Sequence, residues 1–486
     1  MELIFEQSTP GRRGITLPKN DVPVEAELDR RFLRTDDARL PEVSEPQVVR
    51  HFTRLSQMNR GVDSHYYPLG SCTMKYNPKF TERIAALEGF DSIHPLKPQL
   101  TGGSMLVQGC LEVVYNLQQA LCEITGMDEF TCQPMAGAHG ELTGIMLIAA
   151  YHRDQGKKKR YVLIPDSSHG TNPATAAIAG FEVKTIPSND KGVMDPVAFK
   201  EALSDEVAAC MLTCPNTLGL FNPHVRELCD QMHEAGGLMY YDGANLNAIL
   251  GKVRPGDIGF DVVHVNVHKT FATPHGGGGP GAGPVGVRRQ LIPYLPISRV
   301  IKRNDGTFAL DYDHPKSIGY ISPFYGSFGV LLRAYAYILL LGKEGLLEVS
   351  ENAVLNANYL RHRLKDHYDV PYDGLCMHEF VLSASRQAAK GVTALDIAKA
   401  LIDEGIHPPT VYFPLIVKEA MMIEPTETET RETLDEFVEM MIRIDRMADE
   451  NPEQFRELPK TTPVSRLDEV KAARQLDLCY KENAAS

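Results

Sequence analysis

Two residues of this chain have the types and positions that a Schiff-base site requires. Lys269 follows an alternating apolar run over 261–268, which predicts a buried strand, and it precedes a glycine-rich segment over 276–279. Asp242 ends a second short apolar run that begins at Leu238. In an open α/β sheet the ligand crevice lies at the carboxyl ends of the strands, where a lysine can serve as the amine. The pair favours a pyridoxal phosphate (PLP) site, with Lys269 for the aldehyde and Asp242 for the pyridinium nitrogen.

Two segments supply candidates for holding the phosphate of such a cofactor. Gly137, Ala138 and His139 stand ahead of an apolar stretch over 142–150 that predicts a helix. Small residues that open a helix let backbone N–H groups and the helix dipole meet a phosphate, although they also serve plain helix–strand packing. His268 and Thr270 flank Lys269 and are the second set of phosphate candidates.

The cofactor ring needs a stacking partner and a hydrogen bond to its 3-hydroxyl oxygen. The chain has no tryptophan, so another ring must stack. His169 follows the predicted strand over 161–164 and is the first candidate, with His139 as its rival; a histidine that only caps the next helix is the alternative. Asn216 follows the predicted strand over 208–213 and is the candidate for the 3-hydroxyl, the alternative being a simple Pro-Asn turn.

Composition argues against several functional classes. The 486 residues carry a formal charge of −13, which opposes nucleic-acid binding. The most apolar segment, over 328–341, is too short to span a bilayer and contains Arg333, so we expect a buried core helix and no membrane. Nine cysteines without a CxxC pair, and an acidic N-terminus without a signal peptide, predict a cytoplasmic protein.

No metal is expected, because His264 and His268 would lie about 13 Å apart on a strand.

The order of apolar patterns predicts three parts. Residues 1–90 are rich in Pro, Arg and Asp and predict an N-terminal arm with short helices that wraps a partner or the body. Over 91–320 strands and helices alternate, which predicts an α/β domain with a mainly parallel sheet and helices on both faces. Its predicted elements are helices over 105–121 and 228–235 and strands over 161–164, 181–186, 208–213 and 238–242.

The third part, residues 321–486, predicts a smaller C-terminal α/β domain and a polar tail. A strand is predicted over 379–383 and a helix over 395–404. Thr426 to Glu429 has the form of a capping box ahead of a further helix. The apolar stripe of that helix runs through four residues: Leu434, Phe437, Met441 and Ile444.

Several long motifs resemble the glycine decarboxylase P-protein family of the glycine cleavage system. Two of them, the segments over 242–248 and over 264–281, contain Asp242 and Lys269. Four others agree as well, over 67–75, 137–141, 168–173 and 422–427. The resemblance covers nearly the whole chain, and the length is similar to that of the β subunit (subunit 2) of the split bacterial form rather than to the fused form of about twice the size.

The resemblance implies both a fold and an activity. The fold is that of the fold-type-I PLP-dependent transferases, with a mainly parallel large-domain sheet of the seven-stranded type. The implied reaction releases CO2 from glycine and transfers the aminomethyl group to the lipoyl arm of the H-protein. The family's Schiff-base lysine corresponds to Lys269, its pyridinium partner to Asp242 and its ring-stacking histidine to His169. The implied partner is an α subunit (subunit 1) that lacks the lysine, in an α2β2 assembly.

A lipoyl arm needs a tunnel to the buried lysine. The glycine-rich loop after Lys269 and the segment over 67–75 are the candidates for its lining, and structural packing is the alternative.

Two other functional classes compete with glycine decarboxylation. One is another PLP enzyme of the same fold, such as an aminotransferase or a cysteine desulfurase, for which Cys72 is the one cysteine in a suggestive loop. The other is a non-catalytic subunit, against which the presence of both Lys269 and Asp242 argues.

Overall fold

The computed structural model describes residues 2–19, 21, 28–36, 38–97, 103–274, 281–322 and 325–480. Its strands are β1 Glu129–Thr131, β2 Tyr161–Pro165, β3 Glu182–Ile186, β4 Val207–Thr213, β5 Leu238–Gly243, β6 Val262–Val265, β7 Val285–Val287, β8 Arg299–Lys302, β9 Phe308–Asp311, β10 Phe380–Ser383, β11 Thr410–Val411 and β12 Ala420–Ile423. Its α-helices are α1 Glu45–Gln57, α2 Lys79–Ala85, α3 Gln108–Thr125, α4 Gly137–Asp154, α5 Thr171–Ile178, α6 Pro196–Ala202, α7 Val225–Glu234, α8 Pro255–Ile258, α9 Val267–Thr270, α10 Phe328–Leu364, α11 Ser385–Ala388, α12 Ala394–Asp403, α13 Arg431–Glu450 and α14 Glu469–Arg474.

Seven strands form one twisted sheet in the order β1-β7-β6-β5-β4-β2-β3. The five strands from β2 to β6 pair in parallel, whereas β7 is antiparallel to β6 and β1 is antiparallel to β7. The predicted mainly parallel sheet is therefore confirmed, together with the four strands predicted over 161–242. All residues of β4 and β5 are buried, as expected for central strands that helices cover on both faces.

The two faces of the sheet pack against different helices, because successive side chains of a strand point to opposite sides. Met239 and Tyr241 of β5 join the core that contains α3, α7 and α10. Leu238 and Tyr240 join the core that contains α4. By the same alternation, the side chain of Asp242 belongs to the α4 side of the sheet.

One predicted boundary is wrong at the most informative place in the chain. The apolar run over 261–268 was expected to be a single strand, but β6 ends at Val265 and α9 begins at Val267. The amides of Lys269 and Thr270 both donate to the Asn266 carbonyl, which closes a helical turn in place of a strand. His268 therefore lies on a helix, and the strand distance that separated it from His264 does not apply.

The C-terminal part is a second packed unit. The strands β10, β12 and β11 form an antiparallel sheet, and the predicted strand over 379–383 and helix over 395–404 are confirmed. The predicted stripe of α13 is buried in its core. The predicted capping box is wrong: the N-cap of α13 is Thr430, whose side chain accepts from the Thr433 amide, while the hydroxyl of Thr426 pairs with that of Thr428.

The apolar segment over 328–341 forms the first half of α10, which is kinked at Gly342 (φ 60°). Most of its apolar residues are buried, as predicted, but Leu339 and Leu340 are 63% and 62% exposed. Among the described helices, none combines the length and the apolar character needed to cross a membrane. The boundaries proposed at residues 90 and 320 stay predictions.

Candidate active site

A cavity of about 340 Å³ opens at the carboxyl ends of the parallel strands, where an open α/β sheet binds its ligands. Four of the predicted site residues line it: Ala138, His169, His268 and Lys269. The other lining residues are Ser71, Gly137, Glu141, Thr171, Thr213, Thr217, Ala244, Asn245, His264, Asn266 and Phe413. The cavity therefore gathers segments that are far apart in the chain around one lysine.

Lys269 reaches the cavity from α9, directly after β6. Its backbone is fixed on both sides, since its own amide donates to the Asn266 carbonyl and the next carbonyl, of Thr270, accepts from Lys75 Nζ at 3.1 Å. A half-buried amine on a fixed turn is suited to a covalent attachment in the cavity.

Asp242 is fully buried behind the cavity wall, at the end of β5. Its Oδ1 accepts from the Ala244 amide at 3.0 Å, and its Oδ2 lies 2.8 Å from His169 Nε2. His264 Nε2 is 3.4 Å from Oδ1, because β5 and β6 pair these two residues side by side. Burial opposes ionisation, but His264, His169 and the Ala244 amide together hold the pKa of Asp242 well below its usual value. Asp242 is therefore a stable buried carboxylate.

His169 is held at its edge by two hydrogen bonds. Nε2 donates to Asp242, and Nδ1 accepts from the Thr171 amide at 3.3 Å, which fixes the neutral tautomer with its proton on Nε2. Burial lowers the pKa of His169, yet the carboxyl groups of Asp242 and Glu141 more than offset this and raise the pKa above its usual value. Stacking of this ring on a cofactor stays a prediction.

Glu141 lines the cavity and was not singled out from the sequence. Its side chain is 4% exposed, and burial together with the nearby Asp242 raises its pKa to about 8. The spacing held a signal that could have found it: Ala138 and Glu141 are three residues apart on one helix, so they face the same side. His264 was set aside as a metal ligand, but the pairing of β5 with β6 makes it the neighbour of Asp242.

The remaining predicted residues lie outside the described lining. The side chain of Asn216 is hydrogen-bonded to two loops: Nδ2 donates to the Gly192 carbonyl at 2.7 Å, in the loop after β3, and Oδ1 accepts from two backbone amides of its own turn. His139 Nδ1 accepts from the Met135 amide. Thr270 is fully buried, and its hydroxyl has no hydrogen-bond partner among the described residues.

The N-terminus of α4 has the features of an anion site. The helix is 18 residues long, and no side chain of the described residues caps its first amides. Two glycines let it approach its neighbours: a Cβ on Gly137 would lie 2.5 Å from Asn266 Nδ2, and a Cβ on Gly140 would lie 2.7 Å from the Gly283 carbonyl oxygen. Uncapped helix amides, an amine and a buried carboxylate at one cavity fit the phosphate, aldehyde and pyridine nitrogen of PLP.

A buried lysine connects the site to both ends of the chain. Lys75 Nζ contacts Glu427 Oε1 at 2.5 Å and Asn247 Oδ1 at 2.7 Å, in addition to the Thr270 carbonyl. Burial lowers the pKa of Lys75, but the Glu427 carboxylate beside it raises the pKa above its usual value. Lys75 therefore holds the backbone next to Lys269 against the C-terminal unit.

Two buried glutamates fix the loop that carries Ser71 to the cavity. The Ser71 amide donates to Glu379 Oε2 at 2.8 Å, and the Thr73 amide donates to Glu424 Oε2 at 2.9 Å. Ser71 and Thr73 have φ values of 63° and 49°, a left-handed conformation that non-glycine residues adopt only when their surroundings hold them there. The loop is thus built for one position at the cavity.

A second cavity, of about 590 Å³, shares His268 with the first. Its lining includes Tyr67, Thr73 and Lys75, and on the side of α9 Thr273 and Pro274. The glycine-rich segment over 276–279, which was predicted to line the tunnel, follows Pro274 closely and lies outside the described residues.

Two family models match different parts of the chain. The model of the glycine cleavage system P-protein family matches residues 16–305, and that of the glycine dehydrogenase C-terminal domain matches residues 349–460. The chain is 56% identical to a probable glycine dehydrogenase (decarboxylating) subunit 2 from Listeria monocytogenes, over 99% of this chain and 98% of the relative. The protein of the same name from Bacillus velezensis is 58% identical, over 99% and 97%.

Two solved structures share the fold. The crystal structure of glycine decarboxylase (P-protein) of the glycine cleavage system, in inhibitor-bound form, matches with a TM-score of 0.70 and 21% identity, over 85% of this chain and 92% of that one. The apo structure of cysteine desulfurase from Thermococcus onnurineus matches with a TM-score of 0.59 and 15% identity, over 79% and 95%. The predicted fold-type-I architecture is confirmed.

Proposed function

Because the chain belongs to the glycine cleavage system P-protein family, we propose that it decarboxylates glycine with PLP and passes the aminomethyl group to the lipoyl arm of the H-protein. One observation carries the proposal: Lys269 and His169 line a single cavity, and His169 is bonded to the buried carboxylate of Asp242. The volume of about 340 Å³ is within the range usual for small-molecule sites.

The residues of the cavity have separate roles in this reaction. When bound, PLP supplies a ring that takes up the electron pair left on the glycine α-carbon as CO2 departs. Lys269 Nζ would be the amine that holds the cofactor covalently before glycine binds. Asp242 keeps the proton on the pyridine nitrogen, since a buried carboxylate favours the positive form of a partner next to it. His169 packs on the ring.

The phosphate would be held by the backbone amides at Gly137 and Ala138. His268 lines the same cavity, whereas the buried Thr270 would act from outside its described lining. Uncapped amides at the start of α4 support this assignment. His139 and Asn216 support the site indirectly, through the turns that they order before α4 and after β4.

The second cavity is the proposed route of the lipoyl arm. His268 belongs to the linings of both cavities, so an arm lying along Tyr67 and Thr73 would approach Lys269 from the side of His268. The buried hydrogen bonds at Thr73 and Lys75 hold this wall rigid, which favours a preformed channel.

The relatives are named as subunit 2, and we propose that this chain acts with a subunit 1 in an α2β2 assembly. The surface of the N-terminal arm favours the presence of a partner, because several large apolar side chains on it are exposed. Six of them are at least 55% exposed: Ile15, Leu17, Leu28, Phe32, Leu40 and Phe52. Apolar surface of this extent on one segment is typical of an interaction site.

The alternative activity, that of a cysteine desulfurase, would require a reactive thiol at Cys72, and the surroundings of Cys72 do not favour one. Such an enzyme uses a reactive thiolate, whereas burial raises the pKa of Cys72 above its usual value, and the positive charge of Lys269 offsets only part of this. The thiol is therefore protonated at neutral pH.

Exchange of ¹⁴CO2 with the carboxyl carbon of glycine tests the proposal. The full chain is assayed with PLP and lipoylated H-protein, with and without subunit 1. We expect exchange that requires PLP and rises strongly when subunit 1 is present. A chain without exchange under any of these conditions would refute the activity, and a chain fully active alone would refute the need for the partner.

A further inference from the structure

Glu141 lines the cavity, and one of its carboxyl oxygens makes no hydrogen bond to the described residues. Its Oε2 is buried and has no hydrogen-bond partner among the described residues. Its Oε1 lies 4.0 Å from His169 Nε2, and that nitrogen is 2.8 Å from Asp242 Oδ2. One oxygen of each carboxyl group and one ring nitrogen of His169 lie within 4.8 Å of one another. We call these three residues the acid–histidine cluster.

We propose that Glu141 is a positioning residue that carries a proton, so that Asp242 alone holds the negative charge of the acid–histidine cluster. The inference rests on the proposed PLP site, since the charge matters for what binds in the cavity. Two carboxyl groups this close in a buried site do not both ionise easily, and the surroundings decide which one keeps the proton.

The surroundings favour ionisation of Asp242 over that of Glu141. Asp242 accepts hydrogen bonds from His169 and the Ala244 amide and adjoins His264. Glu141 has no comparable donor among the described residues: His169 points its proton at Asp242, and the charge of Lys269 offsets only part of the burial. Among the described residues, Tyr240 on β5 is a further titratable group that lies close enough to interact electrostatically with Glu141.

The consequence concerns the charge of the bound ligand. PLP carries a phosphate dianion, so a cavity with one buried negative charge accepts it better than a cavity with two. When Glu141 ionises, at about pH 8, a second charge appears beside the cavity. Binding of PLP above this pH must then return a proton to Glu141, or it must become weaker.

The test is the affinity of the full-length apoprotein for PLP at pH 7.5 and pH 9.5, measured by fluorescence titration. For the wild type we expect a Kd about three- to tenfold higher at pH 9.5, as one linked proton allows. Glu141→Gln cannot ionise, so the ratio of its two Kd values should be below about twofold. Glu429→Gln is the matched control, because Glu429 is a carboxyl with a pKa raised to about 7 by burial that does not line the cavity. It should keep the wild-type ratio.

Calorimetry of PLP binding in buffers of different ionisation enthalpy gives a second measurement. At pH 8.5 the wild type should take up more protons than Glu141→Gln, by a fraction of one proton. A Glu141→Gln protein with the wild-type pH ratio, or equal proton uptake by the two proteins, would overturn the inference. A wild type that binds no PLP at either pH would refute the proposed function, and the inference with it.

Discussion

Asp242 Oδ2 and His169 Nε2 are 2.8 Å apart, although 73 residues separate them in the chain. The carboxylate ends β5, and the ring follows β2, with β4 between these two strands in the sheet. The bond therefore spans a strand. It joins the residue assigned to the pyridine nitrogen with the residue assigned to the ring face, so that neither can move alone.

Lys269→Ala should abolish the covalent adduct with PLP. Only a primary amine in the cavity can form a bond that borohydride reduces to a stable link. Peptide mass spectrometry after reduction checks this, with Lys252→Ala as control, because Lys252 is exposed and pairs with Glu351 away from the cavity. Finding the adduct on another lysine of the wild type would contradict the assignment.

Asp242→Ala should retain PLP weakly and lose decarboxylation. Removing the carboxylate leaves His169 without its hydrogen-bond acceptor, His264 without the negative charge beside it and the pyridine nitrogen without its counter-charge. We expect ¹⁴CO2 exchange to fall on the order of 100- to 1,000-fold, as for other preorganised electrostatic groups. Exchange within a few-fold of the wild type would exclude the electron-sink role.

Glu141→Gln should stabilise the free protein as the pH rises from 5 to 8. The pKa of Glu141 is about 8 in the folded chain, above its ordinary value of 4.5, so the unfolded state ionises first. Wild-type stability from this group is complete below about pH 4.5 and is lost as the pH rises toward 8, by a few kcal/mol at most. The amide variant removes this loss. Thermal unfolding midpoints across this range measure the difference, and a gap between the two proteins that does not widen would show that the folded carboxyl has an ordinary pKa.

Lys75→Met should destabilise the chain by about 3–5 kcal/mol, because it leaves the Glu427 carboxylate buried without its partner. The double variant Lys75→Met with Glu427→Leu removes both charges and should recover much of that loss. Denaturant unfolding gives the values. Lys79→Met is the control: Lys79 pairs with Asp63 at the surface, where such a pair contributes at most about 1 kcal/mol. Equal effects of the two single variants would show that the buried pair has no special role.

The parts of the site that the sequence predicted are those tied to local pattern. The apolar runs that end on Asp242 and near His169 can be recognised in the sequence alone. The ends of parallel strands meet at one edge of a sheet, so these residues could be expected to lie together. The parts that it missed depend on register. His264 becomes the neighbour of Asp242 only because β5 pairs with β6 in that alignment. Glu141 joins the cluster only because glycines at 137 and 140 let α4 approach the sheet.

The departures from local pattern have equally specific causes. The run over 261–268 alternates like a strand, but hydrogen bonds to the Asn266 carbonyl turn its last residues into a helix. Asn216 stays a predicted cofactor contact, but its side chain is already hydrogen-bonded to the Gly192 carbonyl and to two backbone amides of its own loop. Such local competition for a polar side chain cannot be read from spacing.

The contacts of Lys75 also set a time order on synthesis. Its partner Glu427 lies 352 residues later in the chain, and the partner of Thr73, Glu424, lies 351 residues later. At about 5–20 residues per second, a ribosome needs about 20–70 s to synthesise the chain from Thr73 and Lys75 to these two glutamates. Once the strands of the sheet have been synthesised, the sheet can form. The turn that carries Lys269 then still lacks the Lys75–Glu427 contact that holds it in place. A nascent or C-terminally truncated chain would therefore display the lysine without holding it in place.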